Sequence, residues 1–177
     1  MDWTTENFSV GFHLDSADTS YERTLVTVSM NSEPNNEPNG GPKAPVILVV
    51  EDDPLTRKMV GRRLQGCGYE VILVENAGDA LIIAQREHFD VLVLDLHLVT
   101  TDPFAGIHEG FGVLDWLLRQ FGGDLPFRII IHTSQKANDV LLQKAETRKV
   151  YAFCTKRRDL NNLVQCVGEA VQSLKAA

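Results

Sequence analysis

The chain has 177 residues, of which 44% are apolar and 23% charged, and a formal net charge of −7. That is enough for one domain with a full core plus an appendage, and too apolar for wholesale disorder. The acidic balance argues against nucleic acid as a direct partner, because binding a phosphate backbone needs a basic face.

The acidity is uneven along the chain. Residues 1–44 carry seven acids against Arg23 and Lys43, a net of −5, whereas residues 45–177 hold 17 acids against 15 bases. The N-terminus, MDWTTENFSVGFHLDSAD, lacks a basic segment followed by an apolar one, so no secretory signal is read. No run approaches the ~18 apolar residues of a membrane span, and a cytoplasmic location without membrane contact is expected. Within residues 1–30, FSVGFHL (8–14) and TLVTVSM (24–30) show partial alternation around a polar stretch. That pattern fits a β-hairpin, which is barely stable alone in water. The N-terminal extension is therefore read as either a hairpin packed on something else or a disordered tail. NSEPNNEPNGGPKA, residues 31–44, is rich in Pro, Asn and Gly without periodicity and reads as a linker.

From Pro45 the pattern changes. VILVV (46–50) is a continuous apolar run, and PLTRKMVGRRLQ (54–65) follows with Leu55, Met59, Val60 and Leu64 at helical spacing. YEVILVE (69–75) reads as a strand, AGDALIIAQRE (77–87) as a helix and DVLVLD (90–95) as a buried strand. After a long polar loop come a helix in FGVLDWLLRQF (111–121), a strand in RIIIHT (128–133) and a helix in NDVLLQKAE (138–146). YAFCT (151–155) is a fifth strand, and DLNNLVQCVGEAVQSL (159–174) a final amphipathic helix. Strands apolar on both sides of the pleat and alternating with helices predict an α/β fold: a doubly wound parallel sheet of five strands with helices on both faces. Trp116 and Phe121 fall at helical spacing with Leu117 and Leu118 and read as core. The three cysteines show no ligand spacing; Cys154, in an apolar run, and Cys166, in a helical one, read as buried thiols.

In such a sheet ligands sit beyond the carboxyl ends of the strands. Those ends carry Glu51, Asp52 and Asp53 on the first strand, Asp95 on the third, Thr133 on the fourth and Lys156 after the fifth. Converging carboxylates repel one another, so they need a cation or shifted pKa values. Hard oxygen donors in this number suit Mg²⁺ (or Mn²⁺). An acid at a strand end also serves as an N-cap for the next helix, and that is the reading for Asp53, directly before Pro54. It fails for Asp95, whose next helix begins more than ten residues later.

VILVVEDDPLTRKMV, VLVLDLHL, IIIHTSQ and FCTKRRDLNNLV, in this order, resemble the receiver domain of two-component response regulators over residues 45–174. The resemblance implies a flavodoxin-like strand order of 2-1-3-4-5. It implies that Asp95 is the phosphoacceptor, and that Asp52, Asp95 and the backbone carbonyl of His97 hold Mg²⁺, with Glu51 acting through water. Lys156 and Thr133 would stabilise the phosphoryl group, and Thr133 and Phe153 would form the switch that reports it. His97 and Gln135 occupy positions that tune how fast water removes the group. The partners implied are a histidine kinase or a histidine phosphotransfer protein, together with a downstream protein, and a homodimer is open.

The sequence departs from the family pattern in three places. Val99 stands where the family has proline, and the Gly110-Phe111 pair comes late, so an insertion of about seven residues is read within 99–109. Asp102, His108 and Glu109 in this loop are of metal-binding type, but a solvated loop is the default reading. Lys156-Arg157 replaces the family's Lys-Pro pair, which commonly carries a cis bond. The loop is then expected to take another course, with the ammonium still reaching the site. Third, an imidazole, His97, follows the acceptor by two residues. His132, on an apolar strand, reads as a core or rim residue rather than a phosphodonor.

Because the chain ends just after the last helix, a stand-alone, non-enzymatic receiver in residues 45–177 is expected, signalling through protein contacts. Two alternatives stand beside this reading: a pseudo-receiver that binds partners without phosphorylation, and a Mg²⁺-dependent phosphohydrolase. The second normally needs a further acid where His97 stands, and the first normally lacks the acceptor, the acidic pair or the lysine.

Overall fold

A computed structural model describes residues 43–98, 110–157 and 159–176. The expected hairpin at 8–30, most of the linker, and Asp102, His108 and Glu109 lie outside the described residues. In chain order the elements are β1 (Val46–Val50), α1 (Pro54–Gln65), β2 (Glu70–Val74), α2 (Ala77–Arg86), β3 (Val91–Leu94), α3 (Gly110–Gln120), β4 (Arg128–Thr133), α4 (Asp139–Glu146), β5 (Val150–Thr155) and α5 (Asn161–Lys175). The strands form one parallel sheet ordered β2-β1-β3-β4-β5.

Alternation along each strand feeds two separate apolar layers. Val46, Leu48 and Val50 of β1 and Leu92 and Leu94 of β3 face α2, α3 and α4, where they meet Leu81, Leu114 and Leu117. Ile47, Val49, Val91 and Val93 face the other way, towards Val60 and Leu64 of α1 and Leu163 and Val167 of α5. Each buried branched side chain contributes about 1.5–3 kcal/mol relative to exposure, which is why these runs tolerate no charge until the strands end. Trp116 and Phe121 pack against the first layer, as their spacing predicts.

The helix starts follow local chemistry. Asp53 accepts a 2.7 Å hydrogen bond from the Thr56 backbone N–H and Pro54 opens α1, so the capping role read for Asp53 is what the structure shows. Asn76 and Asn138 cap α2 and α4 in the same way. α5 begins two residues later than its sequence pattern suggests, because Leu160 takes a left-handed conformation (φ 51°) immediately before it. A buried leucine in that conformation is a local cost that the pattern of apolar residues does not register.

One glycine is demanded by close approach. A Cβ on Gly110 would lie 2.5 Å from the carbonyl oxygen of Asp95 and 2.9 Å from the Leu96 Cα. The Gly110 N–H donates to the Leu96 carbonyl at 3.0 Å. The start of α3 therefore abuts the backbone that carries Asp95, and only a residue without a side chain fits there.

Candidate functional site: an acidic cluster closed by a lysine

All of the strand-end residues singled out in the sequence belong to the carboxyl edge of the sheet. The Asp95 N–H donates to the Val50 carbonyl at 3.0 Å and the Glu51 N–H to the Val74 carbonyl at 3.1 Å, so both acids extend the ladder by one residue beyond their strands. Glu51 is 2% exposed and Asp95 4%, burial rare for ionised carboxylates unless they are paired. Oxygens of Glu51, Asp52 and Asp95 lie within 4.8 Å of one another.

Lys156 supplies the pairing. Its Nζ lies 2.7 Å from Asp95 Oδ2 and 2.7 Å from Glu51 Oε2, reaching both acids from the end of β5. The Lys156 N–H donates to the Thr133 carbonyl at 2.7 Å, which fixes the backbone from which the ammonium extends. Arg157 in place of proline thus leaves the lysine in the site, and no cis peptide bond occurs among the described residues. Burial works against the Lys156 ammonium, but hydrogen bonds and charge from Asp95 and Glu51 outweigh it and leave its pKa raised. Burial raises the pKa of Glu51, and Lys156 only partly offsets that effect.

The second tier surrounds this trio. Thr133 is fully buried at the end of β4, and its hydroxyl accepts from the Gln135 N–H at 3.4 Å. Phe153 is half-buried on β5, paired in register with Ile131 and packed on the layer beneath α4. The His97 N–H donates to Asp95 Oδ1 at 3.2 Å. The His97 Nε2 also lies 2.8 Å from the side-chain nitrogen of Gln135, so these two residues join across the mouth of the site.

The role of Arg57 was not read from the sequence. The Arg57 guanidinium donates to the backbone carbonyls of Glu51 (2.6 Å) and Asp52 (3.0 Å) and pairs with Glu75 at 3.3 Å. It clamps the acidic turn from the first turn of α1. The signal was an arginine four residues after the capping acid, common enough in helices to pass as a surface charge. His132, read from the sequence as a core or rim residue, is 3% exposed on β4, where burial and then the charge of Lys156 lower its pKa to about 4. It is thus a neutral imidazole at ordinary pH, buried on the strand beside the site.

Comparison with known proteins assigns the class. Residues 47–168 match the family model described as the response regulator receiver domain, so the chain belongs to that family. Among curated proteins it is 26% identical to the transcriptional regulatory protein GlrR of Escherichia coli over 129 residues, covering 71% of this chain and 26% of that one. The chain thus spans about a quarter of the length of that relative. Among solved structures, a CheY-like receiver domain protein from Methanospirillum hungatei superposes with a TM-score of 0.65 at 20% identity, over 76% of this chain and 98% of that one. The response regulator TrrA from Thermotoga maritima, solved in complex with Mg²⁺ and BeF, gives 0.60 at 24% identity over 71% and 98%. These likenesses establish the flavodoxin-like receiver fold. Among the described residues no helix is long and apolar enough to cross a membrane.

Proposed function

We propose that this chain is a phosphorylation-dependent signalling receiver that acts in the cytoplasm. Asp95 accepts a phosphoryl group from a phosphohistidine of a sensor kinase or a phosphotransfer protein. The observation that carries the reading is the Lys156 ammonium shared between Asp95 and the buried Glu51, beside Asp52. An anionic nucleophile attacking an anionic phosphoryl group needs neutralisation and positioning more than covalent help.

The three clustered carboxylates are hard oxygen donors in the number that suits Mg²⁺ or Mn²⁺, so the donor set fits such an ion. Asp52, Asp95 and the His97 carbonyl would hold it directly and Glu51 through water, and the ion would neutralise charge developing on the phosphoryl oxygens. An Asp95 carboxylate oxygen attacks phosphorus, the P–N bond to the donor imidazole breaks, and its electron pair leaves with the imidazole. Lys156 holds the acceptor carboxylate in place and offsets the added charge.

Phosphorylation adds charge and acceptor oxygens to Asp95. The Thr133 hydroxyl then exchanges the Gln135 N–H for a phosphoryl oxygen, and Phe153 fills the space vacated beside β4. The outcome is a shift in population at the face of α4 and β5 that partner proteins contact. Turnover is limited to slow loss of the group to water, tempered by the His97–Gln135 contact over the site. Incubation with Mg²⁺ and acetyl phosphate, followed by intact-mass measurement, tests the reading. Wild type should gain one phosphoryl group and Asp95→Asn none; equal gain in both would refute it.

A further inference from the structure

Two of the three cysteines meet in the layer beneath the site. Cys154, on β5, is fully buried and stands in register with His132. Cys166 is half-buried on α5, and its Sγ lies 3.0 Å from that of Cys154. A disulfide bond is about 2.05 Å long, so the sulfurs need approach by only about 1 Å to bond. Cys67, in the turn after α1, is a free and exposed thiol.

We propose that Cys154 and Cys166 form an intramolecular dithiol–disulfide pair that joins β5 to α5 under oxidising stress. The bond closes the segment 154–166, which contains Lys156 and Arg157, and so fixes the strand that carries the site's cation to the helix beneath it. It is a covalent modification separate from phosphorylation, and it does not depend on Asp95 being the acceptor.

The chemistry has a defined order. Burial raises the pKa of Cys154, and Cys166 adds to that effect, so Cys154 is a poor first nucleophile. Cys166 is the more accessible sulfur. Its thiolate attacks a hydroperoxide, the O–O bond breaks, and Cys166 becomes a sulfenic acid as the alcohol or water leaves. Cys154 then attacks the sulfenyl sulfur, the S–S bond forms, and the hydroxyl departs as water with the Cys154 proton. Two thiols are oxidised by two electrons, and one peroxide is reduced. In a reducing compartment such a bond is transient and signals oxidant exposure.

The experiment treats the full chain with hydrogen peroxide or diamide, alkylates it under denaturing conditions, and reads intact mass and cross-linked peptides. Reduced protein should take up three alkyl groups, one for each cysteine, and oxidised protein only one, on Cys67. Dithiothreitol should restore all three, and the oxidised chain should remain monomeric on a non-reducing gel and melt at a higher temperature. Cys166→Ser should take up two groups whether or not it has been oxidised. Three groups on the oxidised wild type, a bond that includes Cys67, overoxidation of Cys166 without bond formation, or a lower melting temperature would each overturn the proposal.

Discussion

β1 and β3 are nearly uniform over their length and then change character within one residue. Val46–Val50 and Val91–Leu94 are apolar on both faces and almost wholly buried, yet Glu51 and Asp95 immediately beyond them are buried as well. The side chains of the first region are held by apolar packing, and exchange of one for another of like volume changes little. The second is held by a charge balance in which one ammonium serves two carboxylates. Equal burial therefore means opposite tolerance: the apolar layers accept chemical variety of similar shape, while the sheet edge accepts changes of shape only where charge is preserved.

The largest test of that contrast removes the cation. Lys156→Met should cost about 3 kcal/mol in urea unfolding at pH 7, because it leaves Glu51 and Asp95 buried without their partner. Leu114→Met, in the apolar layer, should cost about 1 kcal/mol. Equal losses would erase the distinction between the two regions.

His132 stands on the boundary, an imidazole on a strand that is otherwise apolar. Its pKa falls to about 4 from 6.5, so on unfolding below pH 6.5 it gains a proton that the folded protein refuses. Its contribution is complete above pH 6.5 and declines as pH falls towards 4, by up to about 3 kcal/mol. The raised Glu51 carboxyl contributes the opposite slope over the lower part of this range, since the folded state protonates first. The difference between wild type and His132→Leu isolates the imidazole: wild type should lose the more stability between pH 6.5 and 4. Parallel curves would contradict the neutral, buried imidazole.

A smaller effect is expected from Gly110→Ala, which forces a methyl group towards the Asp95 carbonyl and should cost about 1–3 kcal/mol in thermal or urea unfolding. Slower phosphoryl uptake should accompany it, because the backbone that shifts carries the acceptor. The smallest concerns the mouth of the site. His97→Ala and Gln135→Ala each remove one side of the same 2.8 Å contact, so both should change the phospho-Asp95 lifetime a few-fold in the same direction, on the order of 1 kcal/mol. An unchanged decay rate in both variants would remove any role for the bridge.

The contrast between regions also explains what could be read beforehand. The fold was legible because every strand is a short apolar run closed by turn residues, and strand and helix bounds differ from expectation by only a residue or two. Asp95 was legible because no helix starts soon enough after it to need a cap. Asp53, by contrast, was legible as a cap and is one. Contacts between residues far apart in sequence were not legible. The Arg57 clamp depends on how α1 leaves the sheet, the His97–Gln135 bridge on the turns after β3 and β4 facing each other, and the Cys154–Cys166 approach on the rotation of α5. The start of α5 was misplaced because a leucine in a left-handed conformation leaves no mark on periodicity.

The central claim is that Asp95, among the clustered acids, receives the phosphoryl group. Borohydride reduces an aspartyl phosphate to homoserine, and peptide sequencing by mass spectrometry then locates it. After incubation with Mg²⁺ and acetyl phosphate, homoserine should appear at position 95 and at no other acid. Homoserine at position 52, or stable phosphate on His97 or His132 with none at 95, would contradict the account.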